Sequence, residues 1–122
     1  MRYNNSMAIL AVVDDLVFRA KIEAAAKPRE MTVRIATDIA SVRQALAETS
    51  YDRVIVDLNL AAESALDVVT AIRQTVPSVP ILGYCSHIHT DLQGRARQAG
   101  CSEILSRASL VQRLPELVAS GR

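Results

Sequence analysis

The sequence predicts an α/β fold, in which a five-stranded parallel sheet is covered by helices on both of its faces. Short apolar runs alternate with longer segments whose apolar residues recur at helical spacing, and this pair repeats five times along the chain. Strands that alternate with helices are typical of parallel sheets, because each crossover needs a long connection. Hydrophobic residues make up 50% of the chain and are mostly aliphatic, which suits a sheet buried on both faces.

Five apolar runs are the predicted strands, at residues 7–13, 32–36, 53–57, 80–84 and 102–105. The second run, TVRIA, alternates between apolar and polar residues, so we expect it to be less buried than the others. Pro80 opens the fourth run, where a proline is tolerated because the first residue of a strand need not donate a ladder hydrogen bond. Gly83 inside that run indicates either a close backbone approach or simply a weaker strand.

The predicted helices follow the strands at residues 16–27, 41–48, 64–75, 91–99 and 109–119. Pro28 ends the first helix, and Ser41 with Gln44 resembles a capping box at the start of the second. Gly100 fits the left-handed position just past the fourth helix. Pro115 falls inside the last segment, so we expect a short first turn and then a helix that restarts near Pro115.

The commonest arrangement for five such units is a doubly wound sheet with the strand order 2-1-3-4-5, since right-handed crossovers leave few topologies. The length of 122 residues fits one domain, and we expect residues 1–122 to form it with residues 1–6 as a flexible N-terminal tail. In folds of this kind the functional site lies at the carboxyl ends of the strands.

Three carboxylates are predicted to meet at this end of the sheet. Asp14 and Asp15 follow the first strand, and Asp57 ends the third. Cys85 ends the fourth strand, and Arg107 follows the fifth. Clustered carboxylates repel one another unless a cation joins them, and Mg²⁺ prefers hard oxygen ligands. An aspartate beside such a cation can also accept a phosphoryl group. Capping of the following helix is an equally open role for Asp15.

The segments AVVDD (11–15), VIVDLNL (54–60), VPILGYCS (79–86) and AGCSEILSR (99–107) resemble the receiver domains of two-component response regulators. The resemblance covers nearly the whole chain. It implies that Asp57 accepts a phosphoryl group from a histidine kinase or phosphotransfer protein, and that the domain is a signalling module rather than an enzyme. It further implies that Asp14, Asp15 and Asp57 hold Mg²⁺ together with the backbone carbonyl of Asn59.

Three positions depart from the family pattern. Cys85 stands where receivers carry a Thr or Ser hydroxyl, Arg107 replaces the usual Lys, and Ile104 replaces the usual aromatic residue of the fifth strand. A thiol is a weaker hydrogen-bond donor than a hydroxyl, whereas Arg keeps the charge with a planar fork. In the loop after Asp57, Ala61 and Ala65 replace a usual Pro and a common Gly.

Two hypotheses follow from these departures. In the first, Asp57 is phosphorylated and the signal passes through the fourth helix, fifth strand and fifth helix, residues 91–119, to a downstream protein or a second copy of the chain. Polar residues predicted to be exposed on that face are Gln93, Arg97, Gln98, Gln112, Arg113 and Glu116. In the second, the domain is a pseudo-receiver that binds its partner without phosphorylation.

Other classes of function find less support. The loop after the first strand lacks the Gly, Ser and Thr residues that cradle a flavin phosphate. Cys85 lies near His87 and His89, but no third orienting group for a catalytic pair is evident, and the i, i+2 spacing of the histidines matches no standard metal motif.

Charge and composition bear on partners and location. The net charge of +1 provides no basic surface for nucleic acid or for a membrane. The apolar run at residues 7–13 is too short for a signal peptide core or a membrane span. Two irregularly spaced cysteines, Cys85 and Cys101, fit free thiols in a reducing compartment, so we expect a cytoplasmic protein.

Overall fold

The computed structural model describes residues 8–60, 64–86 and 90–119. Its strands are β1 (Ala8–Val12), β2 (Thr32–Ala36), β3 (Arg53–Asp57), β4 (Ile81–Cys85) and β5 (Glu103–Ser106). Its helices are α1 (Leu16–Ala26), α2 (Ile39–Glu48), α3 (Ala65–Thr75), α4 (Thr90–Ala99) and α5 (Arg107–Ala119), and a short 3₁₀ turn (Lys27–Arg29) follows α1. The predicted tail at residues 1–6 and position 61 lie outside the described residues. No helix in the described part of the chain is long and apolar enough to cross a membrane.

The five strands form one sheet with the order β2-β1-β3-β4-β5, and every pairing is parallel. This confirms the predicted fold class and strand order. β2 and β3 have the predicted bounds, whereas β4 and β5 each lie one residue farther along the chain than predicted. Because β1 and β3 are neighbours at the centre of the sheet, the loops that follow them lie side by side.

Alternate residues of the strands point to opposite faces of the sheet and pack into two separate hydrophobic cores. Val54 and Val56 of β3 pack on one face of the sheet beneath α2, α3 and α4. Ile55 points to the other face, where it joins Phe18 of α1 and Leu110 of α5. This division follows from the two-residue period of a strand, and it places α1 and α5 on the same side of the sheet.

The start of α2 differs from the prediction. The N-cap is Asp38, whose Oδ1 accepts a hydrogen bond from the backbone N–H of Ser41 at 2.8 Å. Ser41 Oγ in turn accepts from the backbone N–H of Asp38 at 3.2 Å, so the capping box joins Asp38 and Ser41. The predicted box of Ser41 and Gln44 is wrong, because Asp38 places a carboxylate over the first turn three residues earlier.

The predicted break at Pro115 is also wrong, since α5 runs continuously from Arg107 to Ala119. Pro115 is exposed, whereas Leu114, Leu117 and Val118 are buried in the core shared with α1. Burial of apolar side chains on both sides of Pro115 holds the two halves in one helix and outweighs the hydrogen bond that proline cannot donate. The helix begins directly after Ser106, so no loop separates β5 from α5.

Two glycines lie where a side chain would be crowded by its neighbours. A Cβ atom on Gly83 would lie 3.1 Å from Leu58 Cδ1 and 3.2 Å from Cys101 Sγ, so Gly83 allows a close approach within the core. Gly100 has a φ of +132°, and a Cβ atom there would lie 3.0 Å from the Cβ of Arg73. Gly100 therefore ends α4 with a positive φ, as the sequence predicts.

Candidate functional site

The acidic residues meet at the carboxyl end of the sheet. Val12 and Val56 are register partners in β1 and β3, so Asp14 and Asp15 follow one central strand beside the end of the other, where Asp57 lies. Asp14 is exposed, Asp15 is partly buried and Asp57 is buried. The structure thus brings the three predicted carboxylates to one edge of the sheet.

Within the part of the chain that the structure describes, Asp57 is the one charged residue that is buried, and 4% of its surface is exposed. Its Oδ1 accepts a hydrogen bond from the backbone N–H of Asn59 at 2.8 Å. Burial raises the pKa of Asp57, and the charge of Asp14 raises it further; the Asn59 N–H and the charge of Arg107 act in the opposite direction. A carboxylate in such surroundings is stabilised by any cation that enters the site.

Asp15 caps α1. Its Oδ1 accepts hydrogen bonds from the backbone N–H groups of Val17 at 2.9 Å and Phe18 at 3.1 Å. Its Oδ2 accepts from Arg107 Nη2 at 2.9 Å. The Phe18 N–H and Arg107 together lower the pKa of the Asp15 carboxyl group. The capping role that the sequence left open is therefore filled, and both oxygens of Asp15 are engaged.

Arg107 crosses the site from the first turn of α5. Besides the ion pair with Asp15, its guanidinium carbon lies 5.2 Å from the centre of the Phe18 ring, within the range of a cation–π contact. Its charge lowers the pKa of Asp57 through space. The cation is thus placed against Asp15 and acts on Asp57 at longer range.

Cys85 lies at the end of β4 with 1% of its surface exposed, in the core beneath α2, α3 and α4. Burial raises the pKa of its thiol, and the charge of Asp57 raises it further, so the group is neutral at pH 7. The next residue, Ser86, is exposed, and its backbone N–H lies 3.4 Å from Asn59 Oδ1. His87 and His89 lie outside the described residues.

Tyr84 is a member of the site that the sequence analysis missed. Its side chain is fully buried and stacks on Phe18, with ring centroids 4.5 Å apart and an angle of 24° between the planes. Tyr84 and Asp57 are register partners in β4 and β3. Burial raises the pKa of Tyr84, and the charge of Asp57 adds to the effect. Strand register was the available signal, because paired residues of parallel strands point to the same face.

The donor set fits a hard divalent cation, although the side chains are not arranged around one. Across residues 8–60, 64–86 and 90–119, no three His, Cys, Asp or Glu side chains converge as metal ligands would. Asp15 is turned toward its own helix and Arg107, which accounts for this arrangement. Burial is the main cause of the raised pKa of Asp57 and the charge of Asp14 adds to it, so a cation bound between the two carboxylates would favour the ionised form of Asp57.

The fold and this acidic site define a signalling module of the two-component type. A family model of the response regulator receiver domain matches residues 9–119, which is nearly the whole chain. The chain therefore belongs to the response regulator receiver domain family.

Known relatives agree with this assignment. The response regulator protein PilR of Pseudomonas aeruginosa is 29% identical over 112 residues, which are 92% of this chain and 25% of PilR. The chain thus spans about a quarter of the length of this relative. A response regulator from Thermotoga maritima has a TM-score of 0.76 at 18% identity, covering 94% of this chain and 99% of that one. A CheY-like receiver domain protein from Methanospirillum hungatei has a TM-score of 0.80 at 12% identity, covering 96% and 97%. At these identities the structures show a shared fold.

Proposed function

We propose that this domain accepts a phosphoryl group on Asp57 from a histidine kinase or a phosphotransfer protein. The observation that carries the proposal is the buried carboxylate of Asp57 at the end of β3, beside Asp14 and within the field of Arg107. Family membership supports it. A fold relative from Burkholderia pseudomallei, at 19% identity and a TM-score of 0.78 over 93% of this chain and 72% of that one, is described as carrying a phosphorylated aspartic acid and a calcium ion.

The proposed reaction is a transfer between two nucleophiles. An oxygen of Asp57 attacks the phosphorus of a phosphohistidine, a P–O bond forms, the P–N bond breaks, and the released imidazole takes up a proton. Asp14, Asp57 and the backbone carbonyl of Asn59 would hold Mg²⁺, with Asp15 joining them if Arg107 releases it. When bound, the metal offsets the negative charge that gathers on the transferring group.

Arg107 lies near two anionic groups, the carboxylate of Asp15 and that of Asp57. In the structure it donates to Asp15, whereas a phosphorylated Asp57 presents more negative charge at the same edge of the sheet. A guanidinium binds phosphoryl oxygens in a two-point manner. We therefore expect Arg107 to turn from Asp15 to the phosphoryl group.

The proposed output surface is formed by α4, β5 and α5, which would bind a downstream protein or a second copy of the chain. Arg97, Gln98, Gln112 and Glu116 are exposed there, as expected, whereas Gln93 and Arg113 are partly buried. Arg113 is paired with Glu103 at 2.5 Å and with Glu116 at 3.5 Å. Ile104 is buried, so its truncation would also weaken the core, and exposed residues are better probes of binding.

Phosphorylation-independent binding, as in a pseudo-receiver, is the less favoured hypothesis. The charge at Arg107 and the burial of Asp57 are both retained. A cytoplasmic location is part of the proposal, since Cys85 and Cys101 are free thiols.

The test is direct phosphorylation with a small donor. The purified protein is incubated with phosphoramidate and Mg²⁺, and the gain of one phosphoryl group is followed by intact mass. Asp57→Asn should abolish the gain. Asp67→Asn is the matched control, because Asp67 is an exposed aspartate on α3. Modification of the Asp57→Asn variant at the wild-type rate, or no modification of the wild type at millimolar Mg²⁺, would contradict the proposal.

A further inference from the structure

Tyr84 combines complete burial with a hydroxyl group that makes no well-formed hydrogen bond. Its side chain is 0% exposed, and within residues 8–60, 64–86 and 90–119 no acceptor meets its hydroxyl in good hydrogen-bond geometry, although Asp57 lies near it. A buried hydroxyl of this kind has given up its hydrogen bonds to water without gaining a well-aligned one in exchange. Such groups are uncommon in folded proteins, and functional sites are one place where they occur.

The hydroxyl lies in the acidic site. Tyr84 and Asp57 are register partners, so their side chains share a face of the sheet. Asp57 lies close enough to act on the Tyr84 hydroxyl as an acceptor, although the two groups form no well-aligned hydrogen bond. The hydroxyl therefore lies beside the carboxylate to which the proposed phosphoryl group would be attached.

The surroundings of Tyr84 hold it in place. Its ring stacks on Phe18, which is itself buried and lies beneath the guanidinium of Arg107. Cys85, the next residue, packs in the core of the opposite face and offers only a thiol. The site thus lacks a hydroxyl at position 85 and has one at position 84, on the other side of the same strand.

We propose that the Tyr84 hydroxyl donates a hydrogen bond to the phosphoryl group on Asp57 and takes the place of the hydroxyl that Cys85 does not supply; this rests on the proposed phosphorylation of Asp57. A phenol is protonated at neutral pH, and a phosphoryl oxygen is a strong acceptor. Phosphorylation would then give the buried hydroxyl an acceptor that it can reach in good hydrogen-bond geometry.

The test compares two tyrosine variants in the binding of beryllofluoride, a phosphoryl mimic, with Mg²⁺ present. Tyr84→Phe removes the hydroxyl and keeps the stacked ring. Tyr51→Phe is the matched control, because its hydroxyl donates to the carbonyl of Ala45 at 3.1 Å and lies apart from the acidic site. Binding is followed by amide NMR titration. A second readout is tyrosine difference absorbance, which tryptophan does not mask because the chain has none.

We expect Tyr84→Phe to weaken beryllofluoride binding about tenfold, as the loss of one hydrogen bond to a charged group would. Tyr51→Phe should bind like the wild type, and both variants should keep the wild-type response to Mg²⁺ alone. The tyrosine difference band should be lost only in Tyr84→Phe.

Equal beryllofluoride affinity in Tyr84→Phe and the wild type would overturn this inference and leave the proposed function standing. Failure of the wild type to bind beryllofluoride or to be phosphorylated would overturn both. The two failures are distinguished by the wild-type titration, which is measured before either variant.

Discussion

Phe18 packs in the core of the domain and also contacts two residues of the functional site. Its replacement by leucine should therefore lower the stability of the fold and remove the contact with Arg107. The ring is buried, stacks on Tyr84 with centroids 4.5 Å apart, and lies 5.2 Å beneath the guanidinium carbon of Arg107. Leucine keeps an apolar side chain in the core but removes the aromatic face that both neighbours contact.

The expected loss of stability has three parts. The stacked pair is worth about 0.5–1.5 kcal/mol beyond its burial. The cation–π contact contributes roughly 0.5–1 kcal/mol, since Arg107 is partly exposed. The missing ring atoms leave unfilled space at about 0.8 kcal/mol for each buried carbon. Leucine has three carbons fewer than phenylalanine, so Phe18→Leu should lower the free energy of unfolding by about 3–5 kcal/mol. This corresponds to a Tm lower by about 12–20 °C for a domain of this size.

Urea denaturation followed by circular dichroism measures the loss, with Ile22→Val as the control. Ile22 is fully buried on the same face of α1, and this smaller change should cost about 0.5–1.5 kcal/mol. A double-mutant cycle of Phe18→Leu with Arg107→Met isolates the cation–π contact, with an expected coupling of about 0.5–1 kcal/mol. If Phe18→Leu costs no more than Ile22→Val and the coupling is zero, the aromatic contacts do not stabilise the site and the reasoning is refuted.

Three further predictions concern stability. Gly100→Ala should cost about 1–3 kcal/mol in urea denaturation, because an alanine at a φ of +132° is strained and its Cβ meets Arg73; an unchanged midpoint would contradict this. Arg73→Met should cost about 2–3 kcal/mol by the same assay, since the guanidinium donates to the carbonyls of Gly100 at 2.6 Å and Val79 at 2.7 Å, and Arg73→Lys should recover only part of the loss. Asp57→Asn should raise the free energy of unfolding at pH 7, because the raised pKa of Asp57 means that its ionisation destabilises the folded state. This gain in stability should shrink as the pH falls through the folded-state pKa, and it should vanish below about 3.9, the ordinary aspartate pKa. A gain that does not depend on pH would contradict the raised pKa.

The fold could be predicted because each strand and helix is marked locally. β2 and β3 were predicted at their observed bounds, and polar residues mark one end of each run, with Thr37 after β2 and Asp52 before β3. The errors at Asp38 and Pro115 have different causes. The Asp38–Ser41 box is local, and it was missed because Ser41 was taken as the cap. At Pro115, a pattern within one segment cannot weigh contacts from outside that segment. The burial of Leu114 and Leu117 against α1 keeps α5 continuous through Pro115, and these contacts depend on the tertiary fold.

The site was predicted less completely than the fold. Strand ends identified Asp14, Asp15 and Asp57, because parallel strands bring their carboxyl ends to one edge. The partner of Arg107 could not be predicted, since the choice between Asp15 and Asp57 depends on side-chain geometry. In the sequence Tyr84 resembles an ordinary core residue. Its importance follows from the position of its hydroxyl, which is buried beside Asp57 and makes no well-aligned hydrogen bond within the described residues.

The direct junction between Ser106 and Arg107 bears on how the site could act at a distance. A residue at the end of a flexible loop can change partners while the rest of the chain stays still. Arg107 is instead the first residue of α5, and Ser106 Oγ accepts a hydrogen bond from the backbone N–H of Ser109 at 3.1 Å, which fastens the first turn to the strand. Any movement of the Arg107 backbone is therefore a movement of the helix itself. A change at the acidic site that moves the Arg107 backbone would therefore also displace the far end of α5 at the outer surface of the domain.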